Sequence, residues 1–76
     1  PYALRLETRV GASLVGSRLA ALASRGILAY ALRQPDGSAS IYTGAFESPV
    51  QATALADSLR AVGVAPVLAF RTGRTF

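Results

Sequence analysis

The apolar and polar residues alternate at the start of the chain. In the segment from Tyr2 to Glu7, Leu4 and Leu6 share one side of an extended chain and Arg5 lies on the other, which is the period-2 pattern of a half-buried strand. Apolar residues then recur at helical spacing as far as Gly26, a residue typical of helix ends; they are Val15, Leu19, Leu22 and Ala23. This region predicts a strand followed by a helix.

The middle of the chain predicts a β-hairpin. Two apolar stretches, residues 27–33 and 39–43, flank the sequence Gln34-Pro35-Asp36-Gly37-Ser38. Proline fixes one backbone dihedral of such a turn, and glycine adopts without strain a dihedral that other residues avoid. The two strands can therefore fold back on each other. In the second strand, alternation turns the apolar Ile41 toward the helices.

A second helix is predicted after the junction Gly44-Ala45-Phe46. We expect Ser48 to cap this helix, Pro49 to occupy its first helical position and Gln51 to complete a capping box. The apolar residues that follow lie on one helical face, and Gly63 then marks the expected end of the helix. These apolar residues are Ala52, Leu55, Ala56, Leu59 and Val62. A last strand is predicted over residues 65–70.

The two halves of the chain repeat each other. The segment 22–27, LASRGI, aligns with 59–64, LRAVGV, at an offset of 37 residues, which indicates two strand-helix-strand units in one sheet. Right-handed crossovers place both helices on the same face of that sheet. The sequence therefore predicts a single α+β domain over residues 1–76 with ferredoxin-like, or RNP-like, βαββαβ order. We expect a four-stranded antiparallel sheet with two helices on one face and the opposite face bare.

The composition argues against catalysis. The chain has no Cys and no His, which excludes thiolate and imidazole metal sites, Cys nucleophiles and the usual Ser/His dyad. Two of its four acids, Asp36 in the turn and Glu47 beside a helix start, stand where carboxylates commonly serve turns and caps. We therefore expect no enzyme activity, no metal and no cofactor.

The charge suggests attraction to polyanions, because all eight cationic residues are arginine and the formal net charge is +4. The same arginines also have an ordinary role in solubility. No apolar run approaches the roughly 18 residues that span a membrane. Since the chain starts at Pro1 without a Met, we expect it to be a fragment of a larger protein.

The run from Ile41 to Ser48, followed by Ala52, Ala56, Leu59 and Gly63, resembles a bacterial SPOR domain (sporulation-related repeat). The second half of that family typically has a strand, then Gly-Pro-Phe, then a helix of alanines and leucines that ends in Gly. Here Ala45 stands at the proline position. The first strand departs further, since the family often has Val-Gln-x-Gly-Ser-Phe where this chain has LRLETR at residues 4–9.

The resemblance implies a module that binds peptidoglycan, prefers glycan strands stripped of stem peptides, and brings its host protein to the cell-division septum. It also implies the bacterial envelope or periplasm as the location, within a larger exported or membrane-anchored protein. A membrane would then be reached only through an anchor in that larger protein. The sequence does not determine the oligomeric state, and a homodimer is one possibility.

We expect the glycan contacts on the bare sheet face. Alternation exposes Arg5, Ser40 and Tyr42 there, and the resemblance turns Leu68 outward with Phe70 beside it. The expected glycan-binding residues are Arg5, Thr8, Arg33, Ser40, Tyr42, Leu68 and Phe70. Aromatic and aliphatic groups suit the C–H faces of sugars, and arginine donates to their acceptor groups.

Each of these residues also has an ordinary structural interpretation. Tyr42 could cover neighbouring strand residues, Arg5 could pair with Glu7, and Leu68 and Phe70 could belong to the core. Thr8 and Ser40 could serve local turn hydrogen bonds.

Two other function classes share the predicted architecture. RNA-recognition modules have the same element order and stack bases on aromatics of the central strands, but the third strand here offers only Tyr42 in place of the aromatic-rich signature. No nucleic-acid partner is therefore expected. A ferredoxin-like sensing or oligomerisation domain is the remaining alternative, on fold analogy alone.

Overall fold

The computed structural model describes residues 1–76 as two helices packed on one antiparallel five-stranded sheet. The strands are β1 (Tyr2–Val10), β2 (Tyr30–Arg33), β3 (Ala39–Phe46), β4 (Val67–Phe70) and β5 (Arg74–Thr75), and the helices are α1 (Val15–Ser24) and α2 (Thr53–Ala61). The strand order is β4-β1-β3-β2-β5. The predicted α+β class is confirmed, but the count of four strands is wrong, because β5 pairs with the outer edge of β2.

The sequence repeat is visible in the way the two helices end. The N–H of Ile27 donates to the C=O of Leu22, and the N–H of Val64 donates to the C=O of Leu59, both at 3.0 Å. In each case the intervening glycine has a positive φ, which is the Schellman arrangement that satisfies the last helical carbonyl groups. The Arg25 guanidinium also donates to the C-cap carbonyl of α2, so the two equivalent helix ends touch.

The core lies between the two helices and one face of the sheet. Leu4 of β1 packs against Ala56 and Leu59 of α2. Ile41 of β3 belongs to a second cluster, which also receives Leu19 of α1. Because both helices contribute to these clusters, they cover the same side of the sheet, and the predicted orientation of Ile41 is confirmed.

The start of the second helix differs from the expected capping box. Pro49 opens a 3-10 turn over Pro49–Ala52 that leads into α2, but the Ser48 side chain makes no capping bond. The N–H of Gln51 donates instead to the Ser48 backbone C=O, at 3.2 Å, which is the i to i+3 bond of a 3-10 turn. The Gln51 side chain accepts from the N–H of Glu47. The proline placement is confirmed and the serine cap is wrong.

The β2–β3 turn has the predicted chemistry. The N–H of Gln34 donates to the C=O of Ser38 at 2.8 Å, and Asp36 Oδ1 accepts from both the N–H and the hydroxyl of Ser38. These hydrogen bonds, the one from the Ser38 hydroxyl above all, hold the pKa of Asp36 below its ordinary value. The carboxylate of Asp36 therefore serves the turn.

Gly44 lies inside β3, where two residues of β3, Gly44 and Ala45, face only Ala3 of β1. This irregularity is a β-bulge, and Gly44 adopts a φ of +74°. A Cβ atom there would lie 2.6 Å from ring atoms of Phe46 and 3.3 Å from a methyl carbon of Leu55. The absent side chain leaves room for the Phe46 ring, which packs against the Leu4 cluster.

We predict that Gly44→Ala lowers the free energy of unfolding by about 2–4 kcal/mol, because it combines left-handed backbone strain with a clash. Gly37→Ala is the matched control, since Gly37 has a φ of +86° but no atom within 4 Å of the added Cβ. The control should lose only about 1–2 kcal/mol. Urea unfolding of both variants measures the difference, and equal losses would contradict a role for the Phe46 contact.

Candidate functional site

The sheet side opposite α1 and α2, here called the non-helical face, is defined by the strand register. Arg5 pairs with Tyr42 across β1 and β3, and Tyr42 pairs with Tyr30 across β3 and β2. Directly paired residues share a face. The same ladders and strand alternation give all the strand residues whose side chains lie on the non-helical face. They are Ala3, Arg5, Tyr30, Leu32, Ser40, Tyr42, Val67 and Ala69.

Residues 71–73, here called the strap, cross this face. They connect β4 at one edge of the sheet to β5 at the other. The C=O of Thr72 accepts from Nε2 of Gln34 at 2.9 Å and, in a long hydrogen bond of 3.4 Å, from the hydroxyl of Tyr42. The N–H of Arg71 donates to the C=O of Pro1 at 2.8 Å. Residues next to β1 and β2, together with Tyr42 of the central strand, therefore hold the strap.

The strap corrects the expectation of a bare face. Tyr42 and Ser40 lie on the side that alternation predicted, but Tyr42 is only 1% exposed and Ser40 is buried as well. The Tyr42 ring stacks on that of Tyr30, with 6.0 Å between ring centroids. The exposure predicted for Tyr42 and Ser40 is wrong, because the chain after Phe70 folds back over the centre of the sheet.

Gly73 allows the strap to approach the sheet this closely. Its φ is +120°, and a Cβ there would lie 2.8 Å from the carbonyl oxygen of Arg33 and 2.9 Å from Cβ of Leu32. These are contacts that no ordinary side chain makes. Any larger residue would therefore lift the strap from β2.

Leu68 and Phe70 lie on the opposite side from the one expected. Leu68 pairs with the core residue Leu4, and Phe70 pairs with Tyr2, whose ring stacks on it at 4.9 Å between centroids. Both therefore share the helix side of β4. The prediction failed because residues 67–70 are all apolar, so that only the pairing with β1 decides which of them face the helices.

Arg33 lies at the β2 edge. It pairs with the core residue Ala39, and its guanidinium lies 4.4 Å from the ring centroid of Phe76. Thr8 is exposed in the part of β1 where the ladder to β3 is irregular. Neither of these two expected site residues joins Arg5 at the centre of the non-helical face.

Arg5 is half-buried on the non-helical face, and Glu7 does not pair with it. A register shift in the β1–β3 ladder lies between the two residues. Glu7 instead forms an ion pair with Arg18 of α1, on the helix side. The Arg5–Glu7 pair considered from the sequence is thus absent, and no hydrogen bond or ion pair within the chain engages the Arg5 guanidinium.

The four acids all lie away from the non-helical face. Glu7 bonds to α1, Asp36 lies in the β2–β3 turn, Glu47 precedes the second helix and Asp57 pairs with Arg60 on α2. They form no group that could hold a metal ion. The non-helical face and its strap carry cationic groups without a compensating carboxylate.

One groove on this face combines apolar and cationic groups. It has a volume of about 540 Å³ between β2 and the C-terminal segment, and its lining residues are Tyr30, Ala31, Leu32, Arg71, Gly73 and Thr75. The sequence analysis missed these residues. Alternation along β2 could have placed Tyr30 and Leu32 beside Tyr42, whereas no pattern marks Arg71.

No family model, curated protein or solved structure matches this chain. The resemblance to SPOR domains therefore rests on the motif around residues 41–63. None of the helices has the length and apolar character needed to cross a membrane.

We predict that Gly73→Ala detaches the strap and exposes Tyr42, because the added methyl group collides with β2. Nitration of tyrosines, located by mass spectrometry, should be faster at Tyr42 in this variant, by about tenfold if the strap loses contacts equivalent to one ordinary hydrogen bond. Gly11→Ala is the control, since Gly11 has a φ of −63° and open space around it. Unchanged Tyr42 nitration in Gly73→Ala would contradict the strap.

Proposed function

We propose that this chain is a non-catalytic peptidoglycan-binding module of ferredoxin-like fold, which recognises glycan strands through its non-helical face. The observation that supports the proposal is the segregation of charge. Arg5 and Arg71 lie with Tyr30 and Leu32 on a surface from which all four acids are absent. The order β4-β1-β3-β2, with both helices on one side, supports the ferredoxin-like comparison.

The groove suits the chemistry of an amino-sugar polymer. Sugar rings present apolar C–H faces that pack on an aromatic ring such as Tyr30 and on an aliphatic chain such as Leu32. Their hydroxyl, acetamido and lactyl carboxylate groups accept hydrogen bonds from the guanidinium of Arg71. The groove volume of about 540 Å³ falls in the range usual for small-ligand sites.

The cellular role follows from the motif resemblance. Glycan strands without stem peptides would be the preferred form, as the resemblance implies. The module would bring its host protein to the division septum, in the bacterial envelope or periplasm. The host would be a larger exported or membrane-anchored protein.

Binding of RNA by base stacking is less compatible with the geometry. Stacking in RNA-recognition modules uses exposed aromatics on the central strands. The aromatic of β3, Tyr42, is covered by the strap, and the aromatic of β1, Tyr2, stacks on Phe70. Neither ring offers a free face at the centre of the non-helical surface, so glycan remains the function that this surface supports best.

We predict that the chain sediments with purified peptidoglycan sacculi, and more strongly after an amidase has removed the stem peptides. Arg5→Ala and Arg71→Ala should each weaken binding about tenfold, the effect of losing roughly one charge-assisted hydrogen bond. Arg60→Ala is the matched control, because it removes the same charge from the exposed surface of α2. Tyr42→Ala is unsuitable as a test of binding, because the ring is buried and its loss would change the stability of the fold.

Two results would contradict the proposal. One is the absence of binding to both sacculus preparations. The other is equal weakening by all three arginine variants, which would indicate attraction to net charge. A steep loss of binding with added salt, together with binding to RNA, would favour the nucleic-acid alternative.

A further inference from the structure

Two arginines stand directly opposite each other where the chain ends its last strand. Arg33 of β2 pairs with Arg74 of β5, and side chains in such a pair have Cβ atoms about 4.5–5.5 Å apart. Like charges in this position repel and weaken the ladder. Neither arginine belongs to an ion pair, since those of the chain are Arg18 with Glu7 and Arg60 with Asp57.

The nearest carboxylate along the chain does not compensate this charge. Asp36 lies in the adjoining turn, where its Oδ1 atom accepts two hydrogen bonds from Ser38. The positive charge that acts on its pKa comes from Arg9. A two-residue strand that places Arg74 against Arg33 therefore has an electrostatic cost that no carboxylate of the chain offsets.

Both arginines line the same cavity. Its volume is about 710 Å³, it has no hydrophobic side chain in its lining, and its residues are Arg33, Gln34, Pro35, Thr72, Gly73 and Arg74. The Arg33 guanidinium is held over the ring of Phe76 at 4.4 Å from the centroid, which restrains one of the two cationic groups. The cavity is cationic and bounded by the strap.

We propose that Arg33 and Arg74 form a binding site for an oxyanion, a carboxylate or a phosphate, between β2 and β5. Guanidinium groups match both kinds of oxyanion through paired N–H donors. An anion between the two side chains replaces their repulsion by two favourable charge-assisted contacts. Arg74 reaches this position only when β5 is paired with β2, so anion binding and docking of the C-terminal segment stabilise each other. The site does not depend on the glycan proposal.

Hydrogen exchange of the whole chain tests the site, with sodium phosphate or sodium acetate replacing sodium chloride at constant ionic strength. If the anion binds only the docked segment, exchange of the Arg74 and Thr75 amides slows by the factor 1 + [L]/Kd, about tenfold at a ninefold excess over Kd. The slowing should saturate with anion concentration. A response to phosphate alone assigns a phosphate site, and a response to both anions assigns a general oxyanion site that also accepts carboxylates.

Matched variants distinguish a local site from a general salt effect. Arg74→Gln and Arg33→Gln should lose the anion response, whereas Arg60→Gln, with the same loss of charge on α2, should keep it. In chloride alone, Arg74→Gln should protect the Thr75 amide at least as well as the parent chain, because the like-charge pair is gone. The proposal is overturned if neither anion slows exchange relative to chloride, or if Arg74→Gln responds as the parent does.

Discussion

The central strand β3 is buried on both of its sides, and the rest of the structure depends on how each side is covered. Residues 39–43 are all buried. On one side Ile41 meets the helices, and on the other Tyr42 lies beneath the strap. A chain this short normally has only enough residues to cover one face of its sheet. Here the strap, residues 71–73, covers the middle of the second face.

This cover determines which groups a ligand can reach. The aromatic ring that alternation placed outward is withdrawn from solvent, and the accessible groups move to the two sides of the strap. Arg5 remains on one side, and the groove with Tyr30, Leu32 and Arg71 on the other. Because the four acids all lie away from the non-helical face, the surface left over is apolar and cationic. That combination suits a neutral or anionic polymer such as a glycan strand.

Features set by local chemistry could be predicted from the sequence. The alternation that turns Ile41 inward, the turn at Asp36 and the glycine stops after both helices each depend on neighbouring residues, and all three are present. The strap could not be predicted, because β5 has only two residues and the strap itself is held by residues distant in sequence, such as Gln34. The side of the sheet on which Leu68 lies could not be predicted either, because four consecutive apolar residues fit either face of a strand.

The most direct test of the proposed binding surface is a chemical-shift map of the labelled chain titrated with soluble glycan strands that lack stem peptides. We predict that the largest changes fall on the non-helical face and strap, at Arg5, Leu32 and Arg71 with their neighbours, while the amides of α1 and α2 shift little. Changes centred on the helices, or no changes at saturating glycan, would contradict the assignment of this face as the glycan-binding surface.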